Sequence, residues 1–158
     1  MNHKTELLEK VENFIRPEIR ALSAYHVPDP GDLIKLDAME NPYRWPEDLV
    51  NQWLSVIREV ELNRYPDPGA RVLKEHLRES MDVPEHAEIL LGNGSDELIQ
   101  MIMMAMAGKD KTGKGRSVLS VEPGFVMYKM IATFMDMPYI GIPLQQDFSL
   151  DEKALLEK

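Results

Sequence analysis

The chain has 158 residues and sets 18 Lys and Arg against 27 Asp and Glu, a net charge of −9, which argues against an extended nucleic-acid footprint. Hydrophobic residues make up 44% and charged residues 28%, the balance of a globular chain long enough for one cored domain. No apolar run approaches the roughly 20 residues of a membrane span, the start Met1-Asn-His-Lys-Thr-Glu6 is too polar for a signal peptide, and the absence of cysteine removes disulfides and thiolate metal sites, so the expectation is a cytoplasmic protein with no membrane and no nucleic-acid partner.

Residues 4–15 place Leu7, Leu8, Val11, Phe14 and Ile15 at helical spacing, and Pro17 stops or restarts that helix. Ala24 to Asp32 holds two prolines and a glycine and reads as an irregular arm. Leu33–Asp37 reads as a short strand. Pro46, followed by Glu47 and Asp48, opens a helix carrying Leu49, Val50, Trp53, Leu54 and Ile57. The turn-rich Asn63–Gly69 precedes a helix through Val72, Leu73, Leu77 and Met81, and Pro84 closes off that segment.

Glu88–Leu91 then reads as a buried strand, Gly92–Gly94 as a tight turn and Ser95–Ala107 as a helix. A polar loop, Gly108–Gly115, leads to a second strand, Arg116–Val121. Glu122-Pro-Gly124, a helix from Phe125 to Met135 and a third strand, Tyr139–Leu144, complete the alternation of a parallel α/β sheet with right-handed crossovers. Asp147 to Lys158 reads as the beginning of one more helix.

The strand-to-helix junction at Gly92–Asp96 is suited to an anion, because glycine lets a ligand approach the backbone and the first helical turn presents unpaired N–H groups. A plain turn with Asn93 or Ser95 as N-cap explains the same residues. Two further motifs compete. Gly108-x4-Gly113-Lys114 looks like a P-loop, but Gly115 stands where a magnesium-ligating hydroxyl is required, and the stretch leaves a helix instead of opening one. Gly92-x-Gly94-x-x-Glu97 approximates the dinucleotide fingerprint without its third glycine, with Glu122 as candidate ribose-binding acid, which keeps a Rossmann-type NAD-dependent oxidoreductase as an alternative. His3, His26, His76 and His86 show no metal-ligand spacing.

Four stretches taken together, Leu36-Asp-Ala-Met-Glu-Asn-Pro42, Asn63-Arg-Tyr-Pro-Asp67, Leu91-Gly-Asn-Gly-Ser-Asp-Glu97 and Glu122-Pro-Gly-Phe-Val-Met-Tyr128, resemble in order and spacing the N-terminal part of the histidinol-phosphate aminotransferases, within the class I/II aminotransferase family. The resemblance implies an α/β, three-layer fold, the start of the aspartate aminotransferase-like large domain. On that pattern residues 1–32 are an N-terminal helix and arm, 33–86 a small-domain and inter-domain segment, and 87–158 the first part of the cofactor-binding large domain. It also implies pyridoxal 5′-phosphate as cofactor, amino transfer between histidinol phosphate and 2-oxoglutarate/glutamate, and a homodimer.

By the same resemblance Gly94, Ser95 and Asp96 hold the cofactor phosphate, Phe125 stacks on its ring, and Tyr65 reaches the phosphate of the neighbouring subunit. Tyr25 and Asn41 face the substrate. Met39 and Arg44-Trp45 depart from the family's Asn-Glu-Asn-Pro-Gly pattern around the substrate. The family's Schiff-base lysine lies beyond residue 158, and none of Lys109, Lys111, Lys114 or Lys129 sits in an equivalent context. The expectation is therefore the N-terminal half of an enzyme, inactive by itself, with a non-catalytic aminotransferase-derived interaction domain as a further alternative.

Overall fold

The computed structural model describes residues 3–24, 26–27, 29–36 and 40–158. Within these, contacts divide the chain into two units, one of residues 1–24 with 90–158 and one of residues 25–89.

The first unit begins with the amphipathic α1 (His3–Phe14) and the short α2 (Pro17–Arg20), which Pro17 opens at its first position, where a missing N–H costs nothing. The chain returns at α5 (Gly94–Met106), then β1 (Val118–Glu122), α6 (Val126–Phe134) and β2 (Tyr139–Pro143), and ends in α7 (Glu152–Leu156). The strands pair in parallel from Val118 opposite Tyr139 to Glu122 opposite Pro143, so β1, α6 and β2 form one βαβ unit.

Its core is small. Met103 of α5, Ile131 and Ala132 of α6 and Met137 form one buried cluster, with Ile99, Ala107, Val118, Tyr128 and Tyr139 packed against it. Met103, near the end of α5, belongs to the cluster that Ala107, just after the helix, and Val118 and Tyr139, the first residues of their strands, pack against, and the Arg116 N–H donates to the Gly108 carbonyl at 3.1 Å, so α5 runs opposite to the strands. Its amino end therefore points toward the strands' carboxyl edge.

Helix α6 ends in a Schellman motif: the Met137 N–H donates to the Ala132 carbonyl at 2.9 Å and the Asp136 N–H to that of Thr133 at 3.2 Å, with Asp136 left-handed at φ 55°. The same turn sends Met137 into the core.

The second unit holds α3 (Glu47–Glu59) and α4 (Arg71–Ser80). Pro46 and the acidic Glu47 and Asp48 start α3 as expected from the helix dipole. Helix α4 is started at a distance by Asp67, whose carboxylate accepts from the N–H groups of Gly69 (3.1 Å) and Arg71 (3.2 Å). Arg78 pins the turn after α4, donating to the carbonyls of Pro84 at 2.6 Å and Ala87 at 2.8 Å. No described side chain between residues 26 and 89 is buried.

Three expectations from the sequence are corrected. Glu88–Leu91 is not a strand, and neither are the described residues 33–36, so the described sheet has two strands in place of three. A strand exists only through hydrogen bonds to a neighbour, and β-rich composition does not supply one. Leu33, Ile34 and Leu36 are all well exposed. The last helix starts at Glu152, later than 147, because Asp147 closes a turn onto the Ser149 N–H and Asp151 then caps the helix through the Ala154 N–H at 2.9 Å.

Candidate functional site

Two features of this unit lie toward the carboxyl edge of the strands, the amino end of α5 by the direction of its helix and the loop between β1 and α6 by its place in the chain. Gly94 opens α5 at φ +81°, a left-handed conformation that side-chain-bearing residues adopt at a cost, and a Cβ built there would meet nothing within 4 Å. The turn into the helix is tight, with the Gly94 N–H donating to the Gly92 carbonyl at 3.0 Å. Gly92 lies close on the helix: a Cβ there would come within 2.9 Å of the Leu98 side chain and 3.1 Å of the Glu97 carboxylate, so a larger residue would have to push these side chains aside.

The N–H groups of Ser95 and Asp96 belong to the first turn, where no helical carbonyl precedes them. The Ser95 hydroxyl lies beside them, 3.5 Å from the Asp96 carboxylate. Glu97 folds back and accepts from both the backbone N–H and the side-chain amide of Asn93. Both Asn93 donors are thereby satisfied internally, and the donors left for an anion are the Ser95 and Asp96 N–H groups and, once turned away from the Asp96 carboxylate, the Ser95 hydroxyl. Asn93 occupies the N-cap position without a side-chain cap.

Phe125 is the N-cap of α6 and 46% exposed, its ring set edge-on to Tyr128 with centroids 5.5 Å apart at 86°. The ring borders a cavity of about 350 Å³ shared with Glu122, Lys129 and Tyr139. The Glu122 side chain lies against Gly141 of β2, with its carboxylate 3.9 Å from the Lys129 ammonium. A second cavity, of about 430 Å³, lies between Ile99 and Met103 of α5, Val118 and Leu119 of β1, and Tyr128.

The remaining predicted residues lie elsewhere. Tyr65 and Asn41 belong to the second unit. Tyr65 is fully exposed, and the Asn41 side chain accepts from the Tyr43 N–H at 3.0 Å, shaping its own turn. Tyr25 lies outside the described residues. The structure thus brings Gly94, Ser95, Asp96 and Phe125 to one unit. Among the described residues no group of three His, Cys, Asp or Glu could hold a metal. No helix among them is long and apolar enough to cross a membrane.

Sequence reasoning missed the roles of Gly92 and Gly124. A Cβ on Gly124 would collide with the Val121 carbonyl oxygen, so the sharp exit from β1 that presents Phe125 depends on this glycine. The Glu122-Pro-Gly124 triplet signalled a turn but not this collision.

Residues 31–158 match the model of the family described as aminotransferase class I and II. The chain belongs to the class I and II aminotransferases. This aminotransferase chain is 53% identical over 152 residues to a histidinol-phosphate aminotransferase of Thiocapsa roseopersicina, covering 96% of itself and 78% of that protein. It is 54% identical over 149 residues to histidinol-phosphate aminotransferase 2 of Nitrosococcus oceani, covering 94% of itself and 40% of the relative. It therefore spans well under half the length of that relative.

Among solved structures, kynurenine aminotransferase of Pyrococcus horikoshii, determined with PMP and with substrates and products, superposes with a TM-score of 0.58. It does so at 19% identity, over 96% of this chain and 40% of that one. That likeness supports the α/β aminotransferase-like fold.

Proposed function

We propose that the chain supplies the phosphate cup and ring platform of a pyridoxal 5′-phosphate aminotransferase that moves an amino group between histidinol phosphate and 2-oxoglutarate/glutamate, in histidine biosynthesis. The observation that carries the reading is the paired placement of an open, glycine-led helix start and an exposed aromatic ring at one edge of a parallel sheet. In open α/β sheets that edge is where ligands bind. The relatives' names supply the substrate.

The residues present fit this cofactor. Gly94 leaves room for a phosphate to approach the backbone, and the Ser95 and Asp96 N–H groups and the Ser95 hydroxyl can donate to its oxygens, aided by the helix dipole. Phe125, fixed edge-on by Tyr128, offers its exposed face to a planar ring and keeps water from that side. When bound, pyridoxal phosphate supplies an electron sink for the carbanion character that develops at the substrate's α-carbon.

Tyr65 is proposed to reach the cofactor phosphate of a partner subunit in a homodimer, and Tyr25 and Asn41 to border the substrate. Residues 1–32, 33–86 and 87–158 are proposed as the arm, the small-domain segment and the start of the large domain, in a cytoplasmic enzyme. Against the dinucleotide alternative stand the missing third glycine and the aminotransferase family match over residues 31–158.

The test has two arms. The protein purified with any further residues its gene encodes should form glutamate from 2-oxoglutarate in a histidinol-phosphate-dependent reaction. The 158-residue chain alone, treated with pyridoxal phosphate and borohydride, should show neither turnover nor a reduced adduct at one particular lysine. A stoichiometric adduct at Lys109, Lys111, Lys114 or Lys129, accompanied by turnover, would overturn this division of roles. Absence of activity in the first arm would favour the non-catalytic interaction domain.

A further inference from the structure

Arg16, between α1 and α2, makes a contact that the catalytic reading does not use. Its Nη2 donates to the carbonyls of Thr133 (3.1 Å) and Phe134 (2.8 Å), and its Nη1 lies 3.2 Å from the Asp136 carboxylate and 3.3 Å from that of Glu18. These carbonyls sit at the carboxyl end of α6, 117 and 118 residues away in sequence.

The last four carbonyls of a helix lack helical partners. In α6 those of Ile131, Ala132 and Thr133 accept from Met135, Met137 and Asp136 within the closing turn. For the Phe134 carbonyl, Arg16 is the donor. The last turn of α6 has no basic residue of its own, so Arg16 also supplies the positive charge that this end of the dipole favours.

We propose that Arg16 is a positioning residue: by holding the carboxyl end of α6 it fixes the helix whose amino end presents Phe125, an inference that rests on the ring-stacking role proposed for Phe125. Helix α6 is a rigid rod of nine residues, about 13.5 Å long. Its amino end has no side-chain cap, so nothing of that kind holds Phe125 against a tilt of the rod. The planar fork of a guanidinium serves two adjacent carbonyls and a carboxylate in one fixed, spread geometry, whereas a lysine brings its three donors to a single flexible point. Asp136 is mostly exposed and its ion pair contributes little, so the carbonyl bonds carry the effect.

Hydrogen exchange of the protein purified with any further residues its gene encodes, read by mass spectrometry, tests this without any cofactor. Arg16→Ala should speed exchange about tenfold, the size of a lost charge-assisted bond, in peptides spanning residues 133–138 and also 124–130. Residues 71–80 should not change. Arg16→Lys should give an intermediate acceleration at both ends of α6, and Asp136→Asn should stay near the parent.

Acceleration confined to 133–138 would reduce Arg16 to a local cap and overturn the proposal, as would no acceleration at all. If Arg16→Ala unfolds the chain throughout, Arg16→Lys decides, and it must accelerate 124–130. In cofactor-loaded protein Arg16→Ala should also weaken the visible circular dichroism of pyridoxal phosphate. Failure of the cofactor to bind in the parent protein would instead strike the proposed function and leave the exchange result standing.

Discussion

Asp67 shows how one side chain organises a segment. It accepts from the N–H groups of Arg71 and Gly69 and from the Arg71 guanidinium, and these bonds, led by the Arg71 N–H, hold its carboxyl below the usual value of 3.8. A carboxylate whose folded pKa is depressed stabilises the fold above its unfolded pKa and loses that contribution as pH falls through the lower folded value. The start of α4 should thus be indifferent to pH from neutrality down to about 4 and loosen only below it. Carbon NMR of the Asp67 carboxyl should titrate below 3.8, and a midpoint at or above that value would contradict the turn described here. The sequence Asp67-Pro-Gly69 made a turn legible. That its carboxylate would reach forward to begin α4 was not, because Ala70, left-handed at φ 45°, gave no sign of it.

Among the elements, the loop between β1 and α6 is where backbone geometry decides most. Gly124→Ala would press a methyl group into the Val121 carbonyl, and such backbone strain costs about 1–3 kcal/mol. Gly115→Ala meets open space at an ordinary φ and should be neutral or mildly stabilising, by about 0.4–1 kcal/mol. Urea unfolding followed at the helical signal should separate the two variants, and equal midpoints would refute the account of this turn. The helices were legible because each carries its own period: α3, α4, α5 and α6 fall within a few residues of the apolar repeats that announced them. Strands β1 and β2 were also legible, since β-rich runs flank a helix of crossover length. Glu88–Leu91 and residues 33–36 carry the same kind of signal without a neighbour to pair with, and the signal alone did not make them strands. Within the candidate site, the Gly94 turn and Phe125 could be read from sequence. The Arg16 contact could not, because nothing local to residue 16 refers to residue 134.

At the scale of the whole molecule, the chain exposes 14362 Å². A folded monomer of its mass exposes roughly 8,100 Å², and even two separate globules of the units' sizes would expose only roughly 10,000 Å². The excess is apolar in places: Leu49, Trp53 and Ile57 on α3, and Ile102, Met104 and Met106 on α5, are all more than 40% exposed. Beyond its pairing with β2, β1 presents a second edge free of strand partners among the described residues. Such surface and such an edge favour association. The isolated 158-residue chain should therefore be oligomeric or partly molten by light scattering and near-ultraviolet circular dichroism. A monodisperse monomer with a sharp cooperative melt would mean that it buries this surface in a different sheet. The most direct test of the central claim is a parallel titration with pyridoxal phosphate and with NAD, on the protein purified with any further residues its gene encodes. Pyridoxal phosphate should bind and be displaced by inorganic phosphate. Ser95→Ala should weaken it by about 0.5–1.5 kcal/mol, the loss of one hydrogen bond, and Gly94→Val should weaken it further, because valine resists φ +81°. Tight binding of NAD alone, or pyridoxal phosphate binding that neither substitution alters, would contradict the account.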